Sequence, residues 1–194
     1  MIHVCYGLRD ESGKYSKYAG TSIQSLLDNT QEEVTIHILH DSTLSNENRR
    51  KLSIIAYQHD QEIRFYDVDE FVPELIADAN RRIPKILNSR FTIGAFYRTM
   101  IPEVLDVDKV IYIDGDIVVN LNINDLWKID FDGKPLAAIP EYVTGLSVQT
   151  AMRIFNSCKS GVVDPQDYFN SGVLFMDLDQ IRGGGGHLPY SSVA

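Results

Sequence analysis

The sequence predicts an α/β fold in which a mostly parallel central sheet is flanked by helices. Two observations support this prediction. Through the first two thirds of the chain, short runs rich in β-branched residues alternate with segments whose apolar residues recur at helical spacing. No internal repeat interrupts this alternation within the 194 residues. Right-handed crossovers then produce a doubly wound sheet, whose ligands are expected beyond the carboxyl ends of the strands.

The amino-terminal half is predicted to contain three strands separated by two helices. The strands are apolar or β-branched runs at residues 2–6, 34–39 and 62–66. In the first helix, apolar residues spaced i, i+4, i+7 and i+8 define one face, formed by Ala19, Ile23, Leu26 and Leu27. Ser45 is a typical N-cap for the second helix, which directs Leu52, Ile55 and Ala56 inward.

The second half carries one strong strand pattern and several weaker patterns. Residues 69–88 show no clean periodicity. Thr92 is expected to cap a helix that runs through Phe96 to about Ile101, with Pro102 helping to end it. The strand patterns are residues 109–113, which are the strongest, then 136–139 and 172–176.

Composition and charge argue against several classes of function. The net charge of −9 argues against a broad phosphate-tracking surface, so nucleic acid is not an expected partner. No apolar run reaches the length of a membrane span and the amino terminus has no signal-peptide pattern, which predicts a cytoplasmic protein. Cys5 and Cys158 are expected to be free thiols. Residues 1–182 form the predicted domain, which is expected to be incomplete at its carboxyl end. Residues 183–194 form a glycine-rich tail that is a linker, an expression remnant or a join across missing residues.

Two carboxylates follow the strongest strand. In the segment Val110-Ile-Tyr-Ile-Asp-Gly-Asp, strand alternation directs Asp114 and Asp116 to the same side. Gly115 between them permits the close approach of backbone or ligand. Because two adjacent negative charges repel, a cation with oxygen ligands, Mg²⁺ or Mn²⁺, is the expected partner, and a diphosphate would complete its coordination.

A second chemistry uses a similar pattern. Phosphatases of the haloacid dehalogenase type carry Asp-x-Asp after an apolar strand, and their first Asp is the nucleophile. Asp114-Gly-Asp-Ile-Val matches this pattern. That fold usually places the pair on its first strand, whereas 113 residues precede Asp114 here, and a later Gly-Asp-x-x-x-Asp motif is missing from the sequence. A phosphatase with Asp114 as nucleophile remains the alternative.

The chain resembles glycosyltransferase family 8 from its first strand to about Arg182. Each matching segment is weak alone, but their order and spacing together are specific. The segments are Val4-Cys-Tyr-Gly, Thr21-Ser-Ile-Gln-Ser-Leu-Leu, Phe96-Tyr-Arg98, Asp108-Lys-Val-Ile-Tyr-Ile-Asp-Gly-Asp and Tyr168-Phe-Asn-Ser-Gly-Val-Leu-Phe-Met-Asp-Leu.

The resemblance implies a GT-A fold and the retaining transfer of a hexose, glucose or galactose, from a UDP-sugar to a glycan or glycoprotein. Asp114 and Asp116 would bind the Mn²⁺ or Mg²⁺ that bridges the diphosphate. Arg98 would reach the donor, and Asn170 would lie beside the donor sugar; both are candidate catalytic residues. The nucleotide pocket would be lined by Tyr6, Gly7 and Tyr15, and Gly115 is also expected to lie close to the bound donor.

The sequence departs from the family pattern in two places. Where the family has an Asp that reads uracil, this chain has Arg9, with Asp10 one residue later, and the residue that contacts the base stays open. The later Asp-Gln pair and the segment His-x-x-Gly-x-x-Lys-Pro-Trp, whose His would be the third metal ligand, are absent. A catalytically incomplete UDP-sugar-binding domain is therefore a further alternative. Trp127 and the histidines outside the tail are expected to serve packing, and His187 is given no role.

Overall fold

Six strands form one mixed sheet within the residues described by a computed structural model, which are 1–82, 93–140 and 169–183. The strands are β1 (Ile2–Leu8), β2 (Val34–His40), β3 (Glu62–Asp67), β4 (Lys109–Ile113), β5 (Leu136–Pro140) and β6 (Phe169–Asp177). Their order is β3-β2-β1-β4-β6-β5. The first four pair in parallel, whereas β6 runs antiparallel to both of its neighbours. The predicted α/β class with a mostly parallel sheet is confirmed.

Helices cover both faces of this sheet. In the described ranges they are α1 (Tyr15–Asn29), α2 (Asn46–Gln58), α3 (Val68–Phe71), α4 (Pro73–Arg82), a 3₁₀ helix (Ile93–Phe96), α5 (Tyr97–Val104), α6 (Ile123–Trp127) and α7 (Leu178–Gly183). Helices α1, α2 and α6 pack on one face, and α3, α5 and α7 pack on the other. None of these helices combines the length and apolar character that crossing a bilayer requires.

Strand β4 shows how the sequence divides its side chains between the two faces. Ile111 and Ile113 join the core beneath α1 and α2, whereas Val110 and Tyr112 join the core beneath α5. This division follows from the alternation of side chains along a strand. Because both faces are covered, the strand is apolar at almost every position.

The helix expected between Thr92 and Ile101 differs from the observed structure. Thr92 lies outside the described residues, and α5 begins at Tyr97 after a 3₁₀ turn and continues past Pro102 to Val104. Pro102 removes one backbone donor. The helix still closes because the Leu105 amide donates to the Ile101 carbonyl at 3.0 Å. The prediction that Pro102 helps to end the helix is therefore wrong by two residues.

Two further differences concern element ends. Strand β1 extends to Leu8, two residues beyond its predicted end, and β6 begins at Phe169 rather than at residue 172. Cys5 is a buried free thiol, as predicted, while Cys158 lies outside the described residues. The glycine-rich tail predicted from residue 183 also lies outside them, except for Gly183, which ends α7.

The topology predicts a ligand-binding crevice at the carboxyl ends of two central strands. From β1 the chain proceeds through β2 to β3 on one side, and it later returns to place β4 on the other side of β1. In such sheets, ligands bind outside the carboxyl ends of the strands where the strand order reverses. Here that point lies between Leu8, which ends β1, and Asp114, which follows β4.

Candidate functional site

Asp114 lies at this crevice, and three hydrogen bonds connect it to Gly172, Tyr112 and Arg98. Its amide donates to the Gly172 carbonyl at 2.8 Å, which ties the end of β4 to β6. Its Oδ1 accepts from the Tyr112 phenol at 2.7 Å and from Arg98 Nη2 at 2.9 Å. Burial raises the pKa of Asp114, and the nearby charge of Asp116 adds to this, while Arg98 and Tyr112 act to lower the pKa. The site therefore carries a carboxylate whose charge is poorly solvated.

Asp116 reaches the same crevice by way of a turn. Strand β4 ends at Ile113, and the turn that follows is closed by the Ile117 amide, which donates to the Asp114 carbonyl at 3.2 Å. Strand alternation therefore does not explain why the two carboxylates are neighbours. The turn brings Asp116 close enough for its charge to affect Asp114, and the Asp116 side chain is exposed.

Arg98 connects three elements around Asp114. Its residue is only 8% exposed. Its guanidinium donates to the Ala95 carbonyl at 2.7 Å, to Ser171 Oγ at 3.0 Å and to the Ser171 carbonyl, in addition to Asp114. It also lies over the Tyr112 ring, 4.7 Å from the ring centroid. Arg98 is thus largely occupied by protein contacts, which differs from the expectation that it reaches out to a donor.

Asn170 and Asp114 converge at Gly172. The Asn170 side chain is exposed, and its Oδ1 accepts the Gly172 amide proton at 2.8 Å. A Cβ atom placed on Gly172 would lie 3.0 Å from Asn170 Oδ1 and 3.0 Å from Asp114 Oδ2. The two oxygens are therefore less than about twice that distance apart, and the absence of a side chain at Gly172 lets both lie this close to its backbone.

Replacing Gly172 by Ala is expected to weaken Mn²⁺ binding about tenfold, because the new methyl group displaces Asp114 Oδ2 and Asn170. Gly172 does not have a left-handed backbone, so a folded protein is expected. Isothermal titration with Mn²⁺ measures the effect. Gly183→Ala is the matched control, since a Cβ there meets nothing within 4 Å. Equal Mn²⁺ affinity in the two variants would show that Gly172 does not shape the site.

Tyr15 packs against the turn between the carboxylates. A Cβ on Gly115 would lie 3.2 Å from Tyr15 Cε1 and 3.3 Å from Ala19 Cβ, so the absence of a side chain lets α1 approach the turn. Burial raises the pKa of Tyr15 to about 12, and the charges of Asp116 and Asp114 contribute to this shift. The structure thus brings together Tyr15, Gly115 and the two carboxylates.

Tyr6 and Gly7, expected to line the nucleotide pocket, instead pack inside the protein. Tyr6 is fully buried in the core, where its phenol oxygen accepts from the Ser22 hydroxyl at 3.3 Å. Since β1 continues to Leu8, Tyr6 is an interior strand residue, and its side chain does not line a pocket. A Cβ on Gly7 would lie 3.2 Å from both the Gly94 carbonyl and Tyr97 Cβ. Gly7 therefore allows the 3₁₀ helix to approach β1 closely.

Asp10 stabilises the start of α1. It is 2% exposed, and its carboxylate accepts from the Tyr15 amide at 2.8 Å and from Asn48 Nδ2 at 2.9 Å. Arg9, by contrast, retains an exposed fraction of 31% while it bonds to Asp41 at 3.2 Å and to Glu11. Of the two residues considered for contact with a base, Asp10 is buried and bonded to α1 and α2, whereas the Arg9 side chain is partly exposed to solvent.

Replacing Asp10 by Ala is expected to lower the free energy of unfolding by about 1–3 kcal/mol, because the Tyr15 and Asn48 donors lose their acceptor. Urea unfolding measures the loss, and Glu33→Ala, at an exposed position, is the control. Unchanged stability together with lost nucleotide binding would instead make Asp10 a ligand contact.

Sequence reasoning gave no role to Tyr112, Ser171 or Gly172, although all three contribute to the site. Tyr112 could have been identified, because it lies two residues before Asp114 on a strand and faces the same side. Ser171 and Gly172 occur in a segment already quoted for its resemblance, but their contacts with Arg98 and Asp114 join residues more than 50 positions apart. The sequence carries no local signal for such contacts.

Trp127 and the described histidines serve packing and local hydrogen bonding. The Trp127 ring lies 5.5 Å from the Phe175 ring and below the ammonium group of Lys109. His37 lies between His3 and Tyr66, and burial, assisted by His3, lowers the pKa of His37 to about 3. Among the described residues, no group of three or more His, Cys, Asp or Glu side chains could hold a metal ion.

Comparison with known proteins gives a consistent result. The sequence model of the family described as Glycosyl transferase family 8 matches residues 5–184. The chain is 27% identical over 173 residues to general stress protein A of Bacillus subtilis, covering 87% of this chain and 54% of that protein. It is 27% identical over 180 residues to the lipopolysaccharide 1,2-glucosyltransferase of Escherichia coli, covering 91% of this chain and 48% of that protein.

A solved structure of the same architecture is that of an active-site mutant of LgtC. It aligns with a TM-score of 0.71 and 25% identity, covering 94% of this chain and 59% of the LgtC chain. This likeness confirms the GT-A fold. The chain spans about half the length of the curated relatives it matches.

Proposed function

The chain belongs to glycosyltransferase family 8, and we propose that it transfers glucose or galactose from a UDP-sugar to a glycan or glycoprotein acceptor, with retention and with Mn²⁺ or Mg²⁺. The observation that carries the proposal is the carboxylate pair of Asp114 and Asp116 at the reversal point of the sheet. The name of the Escherichia coli relative supports a hexose and a glycan acceptor.

The residues present fit a divalent cation with oxygen ligands. Asp114 Oδ1 accepts from Tyr112 and Arg98, while Oδ2 receives no hydrogen bond from the described residues and lies beside Gly172. Asp116 is exposed in the adjacent turn. Carboxylate oxygens suit Mg²⁺ and Mn²⁺, and two protein ligands leave coordination positions for diphosphate oxygens. The raised pKa of Asp114 also indicates a charge that a cation would stabilise.

In the proposed reaction, Asp114 and Asp116 would hold a divalent cation, which would supply positive charge opposite the negative charge of the leaving diphosphate. Tyr112 and Arg98 orient Asp114, and Asp116 supplies the second carboxylate. Tyr15, which packs on Gly115, is the aromatic side chain best placed to contact the nucleotide. Asn170 lies within reach of a sugar held beside Asp114. Arg98 acts in this proposal through Asp114 and Ser171 rather than by reaching into solvent.

The phosphatase alternative has less support. Asp114 follows the fourth strand of the sheet, and its Oδ1 is occupied by two donors. The segment that suggested a phosphatase also lies within the residues matched by the family. A binding domain without turnover is distinguished from an active enzyme by the assay that follows.

Release of UDP from UDP-glucose and UDP-galactose tests the proposal directly. We expect release that requires Mn²⁺ or Mg²⁺ and is abolished by EDTA, since the carboxylate pair cannot hold a diphosphate without a cation. Hydrolysis of p-nitrophenyl phosphate is measured alongside. Metal-dependent UDP binding without release would identify a catalytically incomplete domain, and phosphate release alone would support the phosphatase.

A further inference from the structure

The two oxygens of Asp114 have different surroundings. Oδ1 accepts from the Tyr112 phenol at 2.7 Å and from Arg98 at 2.9 Å, whereas no described residue donates to Oδ2, which lies beside Gly172. We propose that Tyr112 is a positioning residue of the cation site, which holds Oδ1 so that Oδ2 is the oxygen offered to the cation. This inference rests on the proposed metal-dependent function.

Among the described residues, the Tyr112 hydroxyl forms one hydrogen bond, which it donates to Asp114. The residue is 1% exposed, and its ring lies in the core between β4 and α5. Strand alternation directs it to the same side as Asp114, two residues later. The guanidinium of Arg98 covers the ring face at 4.7 Å, so the ring and both donors to Oδ1 form one packed unit. The phenol must donate in this bond, because a carboxylate oxygen can only accept.

When Oδ1 of Asp114 is fixed by hydrogen bonds, the orientation of Oδ2 is fixed too. The terminal torsion of an aspartate is broad, so a carboxylate without partners can present either oxygen or both. Two donors on Oδ1 remove this freedom and leave Oδ2 as the single ligand atom of Asp114. The exposed Asp116 carboxylate has no comparable restraint among the described contacts, and it can adjust to the cation and the diphosphate.

The test measures Mn²⁺ affinity by electron paramagnetic resonance of free Mn²⁺, using the whole chain without nucleotide. Tyr112→Phe removes only the hydroxyl, and it is expected to weaken Mn²⁺ binding about tenfold, the usual effect of losing a partner that orients a ligand. Tyr66→Phe is the control, because it removes a phenol that bonds to His37, away from the site. The urea midpoints of the two variants are expected to be similar.

A second variant keeps the inference testable if Tyr112→Phe does not fold. Arg98→Lys keeps a positive charge near Asp114 but loses the planar guanidinium, which donates to both Asp114 Oδ1 and Ser171. This variant too is expected to weaken Mn²⁺ binding. Wild-type affinity for Mn²⁺ in both variants would overturn the positioning role. If the wild-type chain binds no Mn²⁺, or binds it equally well as Asp116→Asn, the proposed metal site fails instead.

Discussion

Replacing Asp116 by Asn is expected to reduce kcat/KM for UDP-sugar turnover by about 10²- to 10³-fold, because the cation that stabilises the leaving diphosphate loses a charged ligand. The effect should be large because, among the described residues, no third His, Cys, Asp or Glu joins Asp114 and Asp116 in a group that could hold a metal ion. Steady-state UDP release over a range of Mn²⁺ concentrations measures it. Added Mn²⁺ is expected to restore part of the lost rate, since weaker binding can be overcome by mass action.

Asp106→Asn is the control for this prediction. Asp106 is an exposed aspartate before β4, at the opposite end of that strand from the carboxylate pair, so its loss should leave turnover unchanged. Equal turnover in wild type and Asp116→Asn would contradict a role for this carboxylate. An equal decrease in both variants would point to the overall charge rather than to the site.

Replacing Arg98 by Ala is expected to lower the free energy of unfolding by roughly 2–3 kcal/mol, below the full value for a buried ion pair because Asp114 is 28% exposed. The guanidinium is nearly buried, and its loss leaves Asp114, Ser171 and Ala95 without a shared donor. Urea unfolding in EDTA measures the change. Arg64→Ala is the control, since Arg64 forms a half-exposed pair with Glu62 whose contribution is small.

This loss of stability should depend on pH in a defined direction. Arg98 acts to lower the pKa of Asp114, so its removal raises that pKa further above the value in the unfolded chain. A folded state that binds more protons than the unfolded state loses stability as pH rises. The difference between wild type and Arg98→Ala is therefore expected to grow from about pH 4, the ordinary range of an aspartate, towards neutral pH. A difference that is constant with pH would show that Arg98 acts by packing alone.

Much of the fold could be predicted because its signals are local. Strand β4 and helix α1 are defined by the alternation or spacing of their own apolar residues, and the carboxylate pair follows the strongest strand directly. Element ends were less certain, because β1 and β6 extend where neighbouring strands pair with them. Pro102 within α5 shows that packing against the sheet outweighs a local helix-ending signal.

The roles of individual site residues depend on contacts that the sequence does not reveal. Asp10 was expected in the nucleotide pocket, but Asn48, 38 residues away, helps to bury it. Tyr6 was expected there too, yet the extension of β1 places it in the core. Arg98 is occupied by Ser171, which lies 73 residues later in the chain. Such assignments follow from tertiary geometry, which a pattern in one segment cannot specify.

Calorimetric titration of UDP into the chain with Mn²⁺, repeated with EDTA and with Asp116→Asn, tests the central claim most directly. We predict binding that requires both Mn²⁺ and Asp116, because the diphosphate reaches the carboxylate pair only through a cation. Binding of equal strength in EDTA, or in Asp116→Asn, would contradict a metal-bridged nucleotide site at the end of β4.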